Sequence, residues 1–327
     1  MISPGKMNWQ RCVQFIILAT VFLTPGWGAG AGEPERRMRV GGLIILYRLN
    51  EEENALKVAR ALQTVVPRME QFYGISVPAG LRIVIVSDER MFYQRVGRVL
   101  PQWVGAVFIP SRRMILVKSP RWKGTLFDMH KSLVHELSHA FFATKFRNGV
   151  LPLWFNEGLA ELISEGGISM EAGIELAKAI WFKQLIPLAD VDSLFRFSAA
   201  RARLAYIQSL SAVIFLREKL SREPQWEAFL RSVERKGLDA ALKEWLNWDR
   251  IDFEIKWYKW LRHKYRWFIL LNFDYFIWLF LVLMFLLAFV RRYYQNRKRL
   301  RRWEQEELWQ FGNHGHTAND LREDDQR

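Results

Sequence analysis

The sequence predicts an α+β fold with a small N-terminal mixed sheet, a mostly helical C-terminal part and one transmembrane helix near the C-terminus. Three observations carry this. The β-prone runs all lie before residue 120, nearly everything beyond residue 127 has helical spacing, and residues 267–290 are almost wholly apolar. Strands first and helices second is the order of an α+β domain.

The first element is a secretory signal. Lys6 and Arg11 supply a basic start, residues 12–23 an apolar stretch, and Gly28, Ala29, Gly30 and Ala31 a small-residue exit that places cleavage after Ala31. The apolar stretch is too short for a bilayer span, which takes about 20 residues. The single cysteine, Cys12, falls inside this 1–31 segment. A mature chain without thiols excludes disulfides and cysteine-based metal or nucleophile chemistry, and with the lack of N-x-S/T sequons it leans toward a bacterial envelope protein.

Next come an apolar run at 42–47, an amphipathic stretch at 51–72 and the strand-like Leu-Arg-Ile-Val-Ile-Val-Ser at 81–87. A short helix is expected near 90–96. Residues 103–109 and 114–117 are β-prone and joined by Pro-Ser-Arg-Arg, the pattern of an antiparallel hairpin. Helical spacing then covers 127–146, 154–165, 169–182 and 199–219, with shorter pieces up to residue 248. Residues 32–255 are expected to form one extracytoplasmic domain with a helical extension. Whether 167–260 packs within that domain or forms a separate helical cap is open at this stage.

The apolar segment 267–290 opens with an aromatic belt, Trp267, Phe268, Phe273, Tyr275, Phe276 and Trp278, as a membrane helix does at the interface. Asn272 and Asp274 are its only irregularities and lie in its first turns. The net charge of +14 is concentrated around it: residues 256–303 hold twelve Lys/Arg against the single acid Asp274. Five basic residues precede the segment and seven follow it, so the positive-inside bias puts the C-terminus in the cytoplasm. A cleaved signal independently puts the preceding domain outside, in the periplasm or at the cell surface. Because the basic excess flanks the membrane helix, topology explains it and no nucleic-acid partner is expected. Residues 291–327 are expected to be a basic juxtamembrane segment and a disordered cytoplasmic tail.

Chemistry enters at Ser132-Leu-Val-His-Glu-Leu-Ser-His139. On a helix, His135 and His139 are i and i+4 and share one face, so two imidazoles can bind one Zn²⁺. Glu136 then stands beside the metal, placed to take a proton from a water activated there. A second helix starting near Trp154 would bring Glu157 over the first, supplying an oxygen ligand and completing a His₂Glu site. Glu161, one turn on, is placed to accept from the free ring N–H of a ligand histidine, His135 in particular. Carboxylates within so apolar a run are costly to bury without partners, which argues against a merely solvated face.

These residues resemble the gluzincin metallopeptidases, and among them the bacterial peptidase MA-like domains. That family couples H-E-x-x-H to a downstream W-x-x-E-G-x-A-E helix, matched here by Trp154, Glu157, Gly158, Ala160 and Glu161. The resemblance spans roughly residues 81–220. It implies a zincin-like domain, one Zn²⁺ held by His135, His139 and Glu157, Glu136 as general base and acid, and hydrolysis of peptide bonds in a peptide or protein substrate. Tyr206 is the candidate oxyanion stabiliser, and Met114, Ile115, Leu116 and Val117 the strand along which substrate would pair. The competing expectation is a catalytically silent zincin-like module serving binding or assembly in the envelope.

Overall fold

The computed structural model describes residues 36–97, 104–122, 128–147, 149–220, 222–271 and 273–320. The expected signal peptide and its cleavage site, Trp103, Asn272 and residues 321–327 lie outside the described residues. The chain divides into two compact units at Arg266 and Trp267.

The first unit opens with β1 (Arg36–Val40) and β2 (Leu43–Tyr47), an antiparallel hairpin turned through Gly41 at φ 56°. Helix α1 (Glu52–Tyr73) leads to β3 (Arg82–Val86), and α2 (Glu89–Val96), capped by the Asp88 carboxylate, leads to β4 (Ala106–Ile109) and β5 (Met114–Lys118). The strand order is β1-β2-β3-β5-β4. β2, β3 and β5 run parallel, with antiparallel strands at both edges, so the sheet is mixed. Side-chain alternation sends Leu46, Val84 and Leu116 to the face packed by Phe92 of α2. Ile45, Ile83 and Ile115 point the opposite way and are wholly buried. Burial on both faces explains why the inner strands read as continuous apolar runs.

One expectation is overturned by this order. Met114, Ile115, Leu116 and Val117 were expected to offer an open edge to substrate, but β5 is hydrogen-bonded by β3 on one side and β4 on the other, and all of it is buried. On that side of the sheet the free edge belongs to β4, because the crossover from β3 through α2 sets β4 one place out and the hairpin then brings β5 back between β4 and β3.

The remaining helices follow in sequence: α3 (Met129–Lys145), α4 (Leu153–Glu165), α5 (Met170–Trp181), α6 (Ala199–Leu220), α7 (Glu223–Lys236), α8 (Leu238–Leu246) and α9 (Arg250–Tyr265). The Asp128 carboxylate accepts from the amides of His130 and Lys131 and fixes the start of α3. α6 is buried nearly all round, and its polar side chains are satisfied. Gln208 bridges the amide and carbonyl of Ile186, and Ser211 accepts from the Trp257 indole of α9 at 3.0 Å. Residues 167–265 therefore pack within the same unit as the sheet, and α9 carries the domain through residue 255 to Tyr265.

The second unit is dominated by α10 (Phe273–Asp320). Within it, Ile277–Glu307 is the one helix among the described residues long and apolar enough to cross a membrane, with mean hydropathy 1.8 over its best window. Where a disordered tail was expected after residue 303, the helix continues to Asp320. The Glu, Gln and Leu of residues 304–310 are strong helix formers.

Candidate metal centre

Two helices build the site. α3 presents His135 and His139 one above the other, their rings 4.7 Å apart and nearly perpendicular. α4 lies across α3 and is pressed against α6 at Gly158, where a Cβ would sit 2.3 Å from the Ser209 carbonyl oxygen. That glycine lets α4 approach closely enough to bring Glu157 and Glu161 onto the histidines.

Glu157 Oε2 lies 3.2 Å from His135 Nε2 and 3.5 Å from His139 Nε2. His135 Nδ1 lies 3.3 Å from Glu161 Oε1, and His139 Nδ1 lies 2.9 Å from Asn156 Oδ1. Each ring can thus donate Nδ1–H to an oxygen of α4 and keep the Nε2 lone pair toward Glu157. The donor atoms of His135, Glu136 and His139 also fall within 4.8 Å of one another. Of the two neighbouring carboxylates, however, Glu157 lies between the ring nitrogens, while Glu136 Oε2 accepts the Phe108 amide of β4 at 2.6 Å.

Burial and charge compete here. Burial alone would depress both histidines, but hydrogen bonds and charge from Glu157, with Glu161 for His135, outweigh it and raise their pKa values. Burial would raise Glu157, yet the two histidines pull it down to about 2. For Glu136, burial dominates and raises the carboxyl, against the opposing pull of His139, His135 and the Phe108 amide. Tyr206 is edge-on to His135, 5.9 Å between ring centroids, and is held protonated by burial and the charges of Glu157, Glu136 and Glu161.

The donor set fits a divalent zinc-like ion. Two imidazole nitrogens and a carboxylate oxygen suit zinc, and bonds of about 2.0–2.2 Å in tetrahedral geometry separate ligand atoms by about 3.4 Å. The observed 3.2 and 3.5 Å match that spacing. Of the expected site residues, His135, Glu136, His139, Glu157, Glu161 and Tyr206 come together, whereas Met114–Lys118 forms an inner strand between β3 and β4. Asn156 and Phe108 were not foreseen. Asn156 had a readable signal, a polar poor helix former in the apolar first turn of α4, whereas the Phe108 contribution is a backbone amide and leaves no trace in residue type.

An H-E-x-x-H helix crossed by a second helix that returns a glutamate to its histidines, beside a mixed sheet, defines the zincin-type peptidase class. The chain belongs to the Peptidase MA superfamily, whose sequence profile matches residues 63–263. Among solved structures it is similar to yeast LTA4 hydrolase in complex with bestatin, at 12% identity and a TM-score of 0.43 over 65% of this chain and 36% of that one. Native yeast LTA4 hydrolase compares at 13% identity and a TM-score of 0.44, over 69% and 38%. The chain thus spans well under half the length of those structures. No curated protein matches it.

Proposed function

We propose that the chain is a membrane-anchored, zinc-dependent peptidase. The observation that carries this reading is the convergence of His135 Nε2 and His139 Nε2 on Glu157 Oε2, with the Glu136 carboxylate alongside. In this reading His135, His139 and Glu157 hold one Zn²⁺, and Glu161 and Asn156 fix the tautomers of the two rings. Bound zinc would supply Lewis-acid polarisation of the scissile carbonyl and activation of water at neutral pH.

Glu136 acts as general base toward the attacking water and returns the proton to the leaving amine. Burial raises its pKa, the direction that lets one carboxyl serve in turn as base and as acid. Tyr206, kept protonated, offers its phenol O–H to the oxyanion that develops. A peptide substrate adds as an extended strand along the free edge of β4, taking the place first assigned to β5. The apolar helix of the second unit anchors the catalytic unit, which lies outside the cytoplasm, with the basic C-terminal flank inside.

The test is elemental analysis of the detergent-solubilised full chain beside Glu157→Ala, followed by a peptide-library cleavage assay. Near-stoichiometric zinc only in the parent, with cleavage that chelator abolishes, is the expected result. Equal or absent metal in both would leave a silent module of the same fold.

A further inference from the structure

Helix α5 is apolar on both sides. Its inner face, Ala172, Gly173, Leu176, Ala177 and Ala179, is buried. Its outer face carries Met170, Ile174, Lys178 and Trp181 at the spacing of a single helical stripe, and Phe182 extends it. Met170, Trp181 and Phe182 are 58%, 55% and 57% exposed. Large apolar side chains exposed together along one stripe call for a partner.

The location identifies that partner. The Trp181 indole N–H donates to the Arg266 carbonyl at 2.8 Å, and Arg266 is the last residue of the first unit. At the other end of the helix, Gly167 and Ile168 share a cleft of about 660 Å³ with Lys264 and Tyr265. The C-terminal end of α5 is therefore hydrogen-bonded just beyond α9, and the turn before α5 faces the last turn of α9 across that cleft, next to the point where the chain leaves the folded domain for its apolar segment. Lys183 follows α5, and Arg262, Lys264 and Arg266 lie at the end of α9; all four are exposed. Of the acids on α5, Glu175 is paired to Arg203 at 2.8 Å, and Glu171 is exposed in the first turn of the helix, at the N-terminal end of the stripe.

We propose that the outer face of α5 lies in the interfacial layer of the phospholipid bilayer that the chain enters after Arg266. This rests on the membrane reading of the C-terminal helix. Tryptophan places its ring among the acyl chains and its polar edge among the headgroups. The catalytic unit would then be held on the membrane at a second place as well as tethered to it, which fixes the height and tilt of the site above the surface. Substrates would be segments presented close to the bilayer.

The test uses spin labels in the full chain with its only cysteine removed (Cys12→Ala), reconstituted into phosphatidylcholine and phosphatidylglycerol vesicles. Labels are placed singly by Phe182→Cys, by Arg60→Cys on the exposed face of α1, and by Leu283→Cys in the apolar helix. Accessibility to oxygen against a water-soluble nickel chelate is read for each. The expected result is preferential collision with oxygen at 182 and 283, and with the chelate at 60. A label at 182 that behaves like 60 while 283 remains in lipid overturns the proposal alone. An aqueous label at 283 overturns the membrane reading and this proposal with it.

Discussion

The amide N–H of Phe108 donates to Glu136 Oε2 at 2.6 Å, so the free edge of β4 and the proposed general base share a hydrogen bond. An N–H aimed at a carboxylate favours its ionised form. Replacing Phe108 by proline deletes that donor at a position whose N–H takes no part in pairing with β5, where proline is tolerated. The acid limb of the kcat/KM pH profile is expected to move up by about one pH unit, since a hydrogen bond to a charged group is worth roughly that much. An unmoved acid limb in a folded Phe108→Pro protein would show that the contact does not tune Glu136.

Glu136 and Glu157 separate base from ligand. Glu136→Gln is expected to keep its zinc and to lose about 10²- to 10⁴-fold in kcat, the usual contribution of a positioned general base. Glu157→Ala should lose both zinc and activity. Elemental analysis and single-turnover cleavage distinguish the two, and full activity in Glu136→Gln would rule out the mechanism.

Asn156 and Glu161 each hold one histidine ring by Nδ1. Removal of such a partner typically costs about 10- to 100-fold in metal affinity. Asn156→Ala and Glu161→Ala are each expected to fall in that range in competition with a chelating dye, while Asn156→Asp keeps an acceptor and should stay near the parent. Equal affinities in all four proteins would mean that ring orientation is set by packing alone.

The grouping of the candidate site residues was legible because it is written in local spacing. His135 and His139 share a helical face by arithmetic, and Glu157 is brought to them by the very next helix, only a short turn away. The order of the strands is a different kind of information. The hairpin at 106–118 is local and was legible, but which of its strands joins β3 depends on a crossover decided by long-range packing, so β5 was mistaken for the edge. β1 was missed because Arg36, Arg37 and Arg39 hide its apolar alternation behind charge. The Phe108 amide could not be foreseen before the β4 edge was known.

Gly158 tests how tightly the second helix must approach. A Cβ there would lie 2.3 Å from the Ser209 carbonyl oxygen and 2.6 Å from Val213 Cγ2, and the first neighbour is backbone of α6 that cannot step aside. Gly158→Ala is expected to destabilise the domain by about 1–3 kcal/mol, as overpacking does, despite the better helix propensity of alanine. Because relief requires α4 to shift away from α6, Glu157 moves too, and zinc affinity should drop alongside the melting temperature. A variant as stable as the parent would mean that the two helices slide freely.

Tyr73 ties α1 to the helix that bears the histidines. Its phenol is wholly buried, 2.6 Å from Ser138 Oγ, and stacked on Phe141. Burial raises its ionisation well above the ordinary value, and the bond to Ser138 offsets only part of that. Below pH ~10 the phenol is neutral in both folded and unfolded chains, so the stability it contributes is fully present. Above that, the unfolded phenol ionises while the buried one cannot, and stability falls by about 1.4 kcal/mol per pH unit toward the folded value. Tyr73→Phe should cost about 1 kcal/mol at neutral pH through the lost hydrogen bond. It should also lack this alkaline slope, so the gap between parent and variant narrows above pH ~10 and then reverses. Urea melts at neutral and alkaline pH read both effects, and a constant gap would show that Tyr73 ionises as easily folded as unfolded.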